Sequence, residues 1–173
     1  MTRILVLSDT HIRRGARRRL PDQVYAELAR ADLVLHAGDI VVSDVLDELS
    51  GFAPTHAVLG NNDLDPGLSH LPETRVVEVD GVRIGMVHDS GPRAGRERRM
   101  RTLFPAADVV VFGHSHVPWD GFGLDGQLLF NPGSATERRA QPVHTYGVLE
   151  VDAWRVVGHA VVPVEATAEP APA

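Results

Sequence analysis

Ile4-Leu5-Val6-Leu7-Ser8-Asp9-Thr10-His11 sets four apolar residues directly before a short polar piece whose Asp and His can hold a metal ion. A short apolar run bounded in this way reads as a strand buried on both faces. The same figure recurs along the chain. Leu33-Val34-Leu35 leads to Gly38-Asp39, residues 55–59 lead to Gly60-Asn61-Asn62-Asp63, residues 82–87 lead to His88, and Val109-Val110-Val111-Phe112 leads to Gly113-His114-Ser115-His116. Between the first three strands, Pro21-Asp22 opens a helix with Tyr25, Leu28 and Ala29 on one face. Ser43 is placed to cap a second helix carrying Val45, Leu46 and Leu49. Strand, helix, strand, helix, strand is the signature of a parallel sheet with helices packed on it.

The second half changes character. Residues 75–79 and 82–87 flank Asp80-Gly81, a hairpin signal. An Arg-rich helix is expected over residues 94–103. Further strands are expected near residues 117–122, 127–130, 146–151 and 154–161, with turns at Asp125-Gly126 and Asp152-Ala153. Neither an internal repeat nor a linker interrupts the pattern, so residues 1–164 read as a single domain. The Ala-, Pro- and Glu-rich residues 165–173 read as a disordered C-terminal tail.

A chain of 173 residues fits one domain, and a domain of this size buries about 68–70% of its unfolded surface. With 43% hydrophobic residues it can build a core without staples, and with no cysteine it has neither disulfides nor thiolate metal sites. Any metal must sit on imidazole, carboxylate or carboxamide, which suits Mn, Fe, Ni, Co or Zn better than copper(I). The net charge of −6 argues against stable nucleic-acid binding or attraction to an anionic membrane. All 17 basic residues are Arg, which reads as composition bias in the coding sequence. The four-residue apolar run near the start is too short for a signal peptide and nothing approaches a membrane span, so a cytoplasmic location is expected.

In open α/β sheets, ligands gather beyond the carboxyl ends of the strands. Asp9, His11, Asp39, Asn61, His88, His114 and His116 each follow a strand, so one sheet edge collects them all. Two ligands spaced i, i+2 where a strand ends can converge on one ion. A carboxylate such as Asp39 can hold a different metal on each oxygen, and Asn61 offers a neutral oxygen. The inventory suits two adjacent ions, and ions roughly 3.5–4 Å apart form a clamp for phosphate-ester hydrolysis. Taken singly, the fragments are weak signals; the ordered set of five is strong.

The order Asp-x-His, Gly-Asp, Gly-Asn-x-Asp, His, Gly-His-x-His resembles the calcineurin-like metallophosphoesterases. The short length and Asn131-Pro132-Gly133-Ser134 resemble their small bacterial and archaeal phosphodiesterase branch, which also includes retromer-subunit-like scaffolds. The likeness covers residues 4–161. It implies a four-layer α/β/β/α sandwich of two facing mixed sheets, with the metal site at one end. It implies Asp9, His11 and His116 on a first metal, Asn61, His88 and His114 on a second, and Asp39 bridging. Asp39, Asn61, Asp63 and His88 would then stand closest to catalysis, Asp63 orienting a ligand histidine from behind. The cofactors would be two divalent metal ions, Mn²⁺ before Ni²⁺, Fe²⁺, Co²⁺ or Zn²⁺.

The activity so implied is a phosphodiesterase using a metal-bridging hydroxide on a small phosphoester substrate. The alternatives are a phosphomonoesterase, or a protein-binding scaffold whose metal site does not turn over. Where the family often has a His that helps protonate the leaving group, this chain has Asn62, which cannot supply a proton. Arg13 and Arg93 lie nearest in sequence to ligands and are candidates for gripping substrate phosphate. Asn131-Pro132-Gly133-Ser134 is expected to support the site as a tight turn. His36 is either a neighbour of the site or a buried structural residue. Hairpins in the second half offer a route to a homo-oligomer.

Overall fold

The computed structural model describes residues 1–165, so all but the first residue of the expected tail lies outside the described residues. The chain order is β1 (Thr2–Leu7), α1 (Asp22–Leu28), β2 (Leu33–His36), α2 (Ser43–Ser50), β3 (Thr55–Ala57), β4 (Thr74–Val79), β5 (Val82–Val87), α3 (Arg96–Leu103), β6 (Val109–Val111), β7 (Trp119–Phe122), β8 (Leu128–Asn131), β9 (Thr145–Asp152) and β10 (Arg155–Pro163). Two five-stranded sheets result, ordered β10-β9-β1-β2-β3 and β4-β5-β6-β8-β7. Both are mixed. β1, β2 and β3 run parallel, as do β5, β6 and β8, while β9, β10, β4 and β7 pair antiparallel with their neighbours.

The alternation of side chains along a strand explains why runs such as Ile4 to Leu7 are apolar throughout. Ile4 and Val6 point between the sheets, where they meet Ile84, Met86, Val109, Val111 and Phe130. Leu5 and Leu7 point the other way, onto Val24 and Leu28 of α1 and Val45 and Leu49 of α2. On the second sheet Val110 and Phe112 face outward onto Met100 and Phe104 at α3. The layers are therefore helices, sheet, sheet, helix, a metallophosphoesterase-like α/β fold. Each fully buried aliphatic side chain contributes about 1.5–3 kcal/mol, so these three apolar layers fix the relative placement of the strand ends.

Two local expectations are corrected. The buried face of α1 is Val24, Glu27 and Leu28, with Ala29 exposed and Tyr25 only partly covered. Glu27 can be buried because Arg3 and Arg30 both donate to its carboxylate. Ser43 is the first residue of α2 and not its cap; Val42 precedes it in extended conformation and no side chain caps the helix. Among the described residues no helix is long and apolar enough to cross a membrane.

Candidate metal centre

Loops leaving β1, β2, β3, β5 and β6 meet at one end of the two sheets and are laced together by backbone hydrogen bonds. Asp9 N donates to Gly38 O at 2.9 Å, His11 N to Asp39 O at 3.1 Å and Gly113 N to His88 O at 2.9 Å. His114 N donates to Asp9 Oδ2 at 3.0 Å, joining the two sheets. The approach at Gly113 is so close that a Cβ there would lie 1.8 Å from Ser8 Oγ and 2.6 Å from Asp9 Oδ2, which explains the glycine.

Five of the seven expected ligands sit in left-handed backbone: Asp9 at φ 53°, His11 at 46°, Asp39 at 57°, His114 at 66° and His116 at 57°. Such φ values are uncommon outside glycine, cost on the order of 1 kcal/mol or more each, and cluster at functional sites.

The ligand atoms form two groups. Asp9, His11 and His116 offer atoms within 4.8 Å of one another, as do Asp9, Asp39 and His88. In the first, His116 Nε2 lies 3.3 Å and His11 Nε2 3.9 Å from Asp9 Oδ1, and the two Nε2 atoms are 3.2 Å apart. Asp39 Oδ2 is 3.4 Å from both His11 Nε2 and His88 Nε2, midway between the two sides. On the second side Asn61 Oδ1 lies 3.1 Å from His88 Nε2 and 2.9 Å from His114 Nδ1. Asp9, Asp39, His88 and His116 are buried.

The tautomers decide what this convergence means. His88 Nδ1 donates to Ala37 O at 2.7 Å, and His116 Nδ1 donates to Glu137 O. Each imidazole therefore turns the lone pair of Nε2 inward, as carbonyl-oriented metal ligands do. There His88 Nε2 meets the acceptor oxygens of Asn61 and Asp39, and His116 Nε2 meets Asp9. Asp9 Oδ1 is buried with no hydrogen-bond partner among the described residues. Lone pairs facing lone pairs in a buried setting repel unless a cation lies among them, so the donor set fits divalent metal ions.

The electrostatics agree. Burial alone would raise the pKa of Asp39, but the neighbouring His88 imidazole and the two hydrogen bonds from Asn62 hold it well below the ordinary value. Burial likewise works to raise Asp9, and its neighbours His116 and His88 and the Ser8 hydroxyl outweigh it. Both carboxylates are anionic at neutral pH. Burial lowers His11. His88 is raised despite its burial, chiefly by Asp39, as expected of a nitrogen aimed at a site that attracts positive charge.

Several residues have roles that the sequence left open or assigned otherwise. Asp63 orients no histidine: its carboxylate accepts from the backbone N–H groups of Asp39 (3.1 Å), Val41 (2.7 Å) and Gly60 (2.7 Å). It is thus removed from the reacting position and pins two ligand loops together. Asn62 donates to Asp39 twice, through Nδ2 to Oδ2 at 2.7 Å and through its backbone N to Oδ1 at 2.8 Å. Ser134 Oγ donates to Asp9 O at 2.8 Å, so the turn from Asn131 does brace the site. His36 is fully buried with Nε2 3.1 Å from Thr10 Oγ1, and its side chain makes no hydrogen bond to an expected ligand among the described residues. Asp89 is exposed and accepts from Gly91 N in the next turn. Arg93 stacks on Trp119, its guanidinium carbon 5.0 Å from the ring centroid. Arg13, by contrast, lines a cavity of about 570 Å³ whose wall includes His11 and Asn62. Arg139 lines it too. Sequence reading missed Arg139 because 22 residues and two strands separate it from the nearest ligand, His116.

The model of the calcineurin-like phosphoesterase superfamily domain matches residues 2–153. A probable metallophosphoesterase of Methanothermobacter thermautotrophicus is 37% identical over 136 residues, covering 78% of this chain and 77% of its own. A Thermotoga maritima protein with a solution NMR structure is 32% identical with a TM-score of 0.72, covering 95% of this chain and 100% of that one. Vps29 of Entamoeba histolytica, in a crystal structure with zinc, has a TM-score of 0.73 at 24% identity, over 94% of this chain and 98% of that one, and so shares the fold. The chain belongs to the calcineurin-like phosphoesterase superfamily.

Proposed function

We propose that the chain is a dinuclear metal-dependent phosphodiesterase, with residues 1–164 working as one domain on a small phosphoester in the cytoplasm. One observation carries the reading: ligand atoms of Asp9, Asp39, Asn61 and four histidines converge on two adjoining places, with Asp9 Oδ1 buried and without a hydrogen-bond partner among the described residues. Asp9, His11 and His116 would hold one ion, Asn61, His88 and His114 the other, and Asp39 would serve both. Two divalent ions there, Mn²⁺ first, would supply Lewis-acid charge for the phosphoryl oxygens and an acidified water as nucleophile.

The chain's own residues do the rest. Asn62 and Asp63 hold the Asp39 loop, so the shared carboxylate is preorganised. Ala37 O and Glu137 O fix the tautomers of His88 and His116. Asn62 is spent on Asp39 and has no acidic proton, so departure of the leaving group depends on that group's own acidity. The diester reading draws on the cavity beside His11 and Asn62, which leaves room for a second substituent on phosphorus.

The test is metal analysis of the purified protein followed by a phosphoester panel with Mn²⁺, Ni²⁺, Co²⁺ and Zn²⁺. Hydrolysis of diesters is expected, and Asp39→Asn is expected to lose activity and bound metal together. A fully active, metal-loaded Asp39→Asn protein refutes the assignment. No hydrolysis with any ion leaves a scaffold on the same fold, and preference for monoesters leaves a phosphomonoesterase.

A further inference from the structure

We infer that the cavity beside the metal centre is an anion subsite, which selects phosphodiesters carrying a second phosphate on one arm. The inference rests on the phosphodiesterase reading and names the substrate class of that same site.

The cavity is lined by His11, Arg13, Ala16, Arg18, Asn62, Glu137 and Arg139. It therefore begins at a ligand histidine and at the asparagine that holds Asp39, and it runs outward from there. At about 570 Å³ it falls in the range of small-molecule pockets and exceeds what a lone phosphate fills. Its lining is unusual for such a pocket. Apart from the ligand His11 there is no aromatic ring to stack on a base, and Ala16 is the one aliphatic residue. Recognition in it must come from charge.

The charge does not balance locally. Three guanidinium groups face one carboxylate, and that carboxylate is taken: Glu137 pairs with Arg18, which also donates to His11 O at 3.2 Å. The Arg13 guanidinium has neither a hydrogen bond nor an ion pair among the described residues, its backbone carbonyl alone accepting from Ala16 N at 3.0 Å. Arg139 makes a single long contact, 3.4 Å to His114 O. Nearby arginines differ in this respect, since Arg14 pairs with Asp44 at 2.7 Å and Arg19 with Asp22 at 2.9 Å. Two uncompensated cations thus share one cavity on a chain of net charge −6. Such a local reversal of sign concentrates anions. The subsite is also tied to the reaction centre. Arg139 lies two residues after Glu137, whose carbonyl fixes His116, and Arg139 itself reaches the backbone of His114. A phosphate held by Arg13 and Arg139 would therefore be placed relative to the ligands and not merely attracted to the surface.

The test compares two chromogenic diesters with the same leaving group: thymidine 5′-(4-nitrophenyl phosphate) and its 3′-phosphorylated analogue. With the Mn²⁺-loaded protein, kcat/KM should favour the 3′-phosphorylated diester by about tenfold, as expected of two charge-assisted contacts at a partly exposed site. Arg13→Gln combined with Arg139→Gln should bring that ratio close to one, while Arg19→Gln, outside the cavity, keeps the wild-type ratio. A wild-type ratio near one, or a ratio unchanged in the double variant, overturns the subsite. If neither diester is hydrolysed, the phosphodiesterase reading fails, and binding decides the subsite separately. By calorimetry, thymidine 3′,5′-bisphosphate should then bind more tightly than thymidine 5′-monophosphate to the wild type and equally to the double variant; equal binding to the wild type overturns it.

Discussion

Replacing Asp63 with alanine removes one carboxylate and, with it, the acceptor for three backbone N–H groups on the loops of Asp39 and Gly60. Hydrogen bonds to a charged group are worth about 1.5–3 kcal/mol each. The sum must be discounted, because burial raises the Asp63 pKa and so charges a cost against the ionised form. A net loss of about 3–5 kcal/mol remains once that desolvation is subtracted. In a domain of this size each 1 kcal/mol moves Tm by about 2–4 °C, so scanning calorimetry should show a fall of at least about 6 °C. The same loops carry Asp39 and Asn61, and metal titration should show affinity reduced by about 10–100-fold, as for other supports behind metal ligands. Asp63→Asn keeps a carbonyl oxygen and should fall between wild type and Asp63→Ala. An alanine variant with wild-type Tm and wild-type metal affinity would refute the assignment of Asp63 to the backbone.

Burial holds His36 neutral, with its pKa moved from 6.5 down to about 3. The unfolded chain takes up the proton first, so this group's contribution is complete above about 6.5 and drains as pH falls towards 3, by up to about 1.4 kcal/mol per pH unit. His36→Gln should flatten the pH dependence of urea unfolding over that window; parallel curves for the two proteins would show that His36 is not the source. Gly113→Ala drives a Cβ against Ser8 and Asp9 and should cost about 1–3 kcal/mol by denaturant midpoint, with metal content reduced as well. A variant with both unchanged contradicts the close approach. Because Asn62 carries no acidic proton, aryl diesters such as bis(4-nitrophenyl) phosphate should turn over faster than alkyl diesters, and equal rates would point to a proton donor elsewhere.

The strand-then-ligand figure was legible because apolar runs such as Val109 to Phe112 are buried on both faces and end abruptly in polar residues. The hairpin at Asp80-Gly81 was legible for the same reason, its turn chemistry being local, and Val79 does pair with Val82. What escaped depends on distant partners. The α1 face was misread because Glu27 is buried by Arg3, 24 residues earlier in the chain and on β1. Asp63 looked like a histidine orienter because residue types show side-chain chemistry, whereas its partners are backbone N–H groups, two of the three lying 22 and 24 residues upstream. Arg93 and Arg13 looked equivalent by their nearness to ligands; Trp119 claims the first and nothing described claims the second.

The left-handed backbone at Asp9, His11, Asp39, His114 and His116 sets stability against chemistry. Glycine would occupy any of these positions with less steric conflict, and asparagine would do so with no worse local fit. A fold under selection for robustness alone would drift towards those residues. On the proposed metal-centre reading, substitutions that relax the turns are a route to chains that melt later yet no longer hold ions, the usual exchange between a preorganised centre and its scaffold. Thermostability screens on this protein would accordingly enrich for inactive variants unless metal content is scored alongside melting.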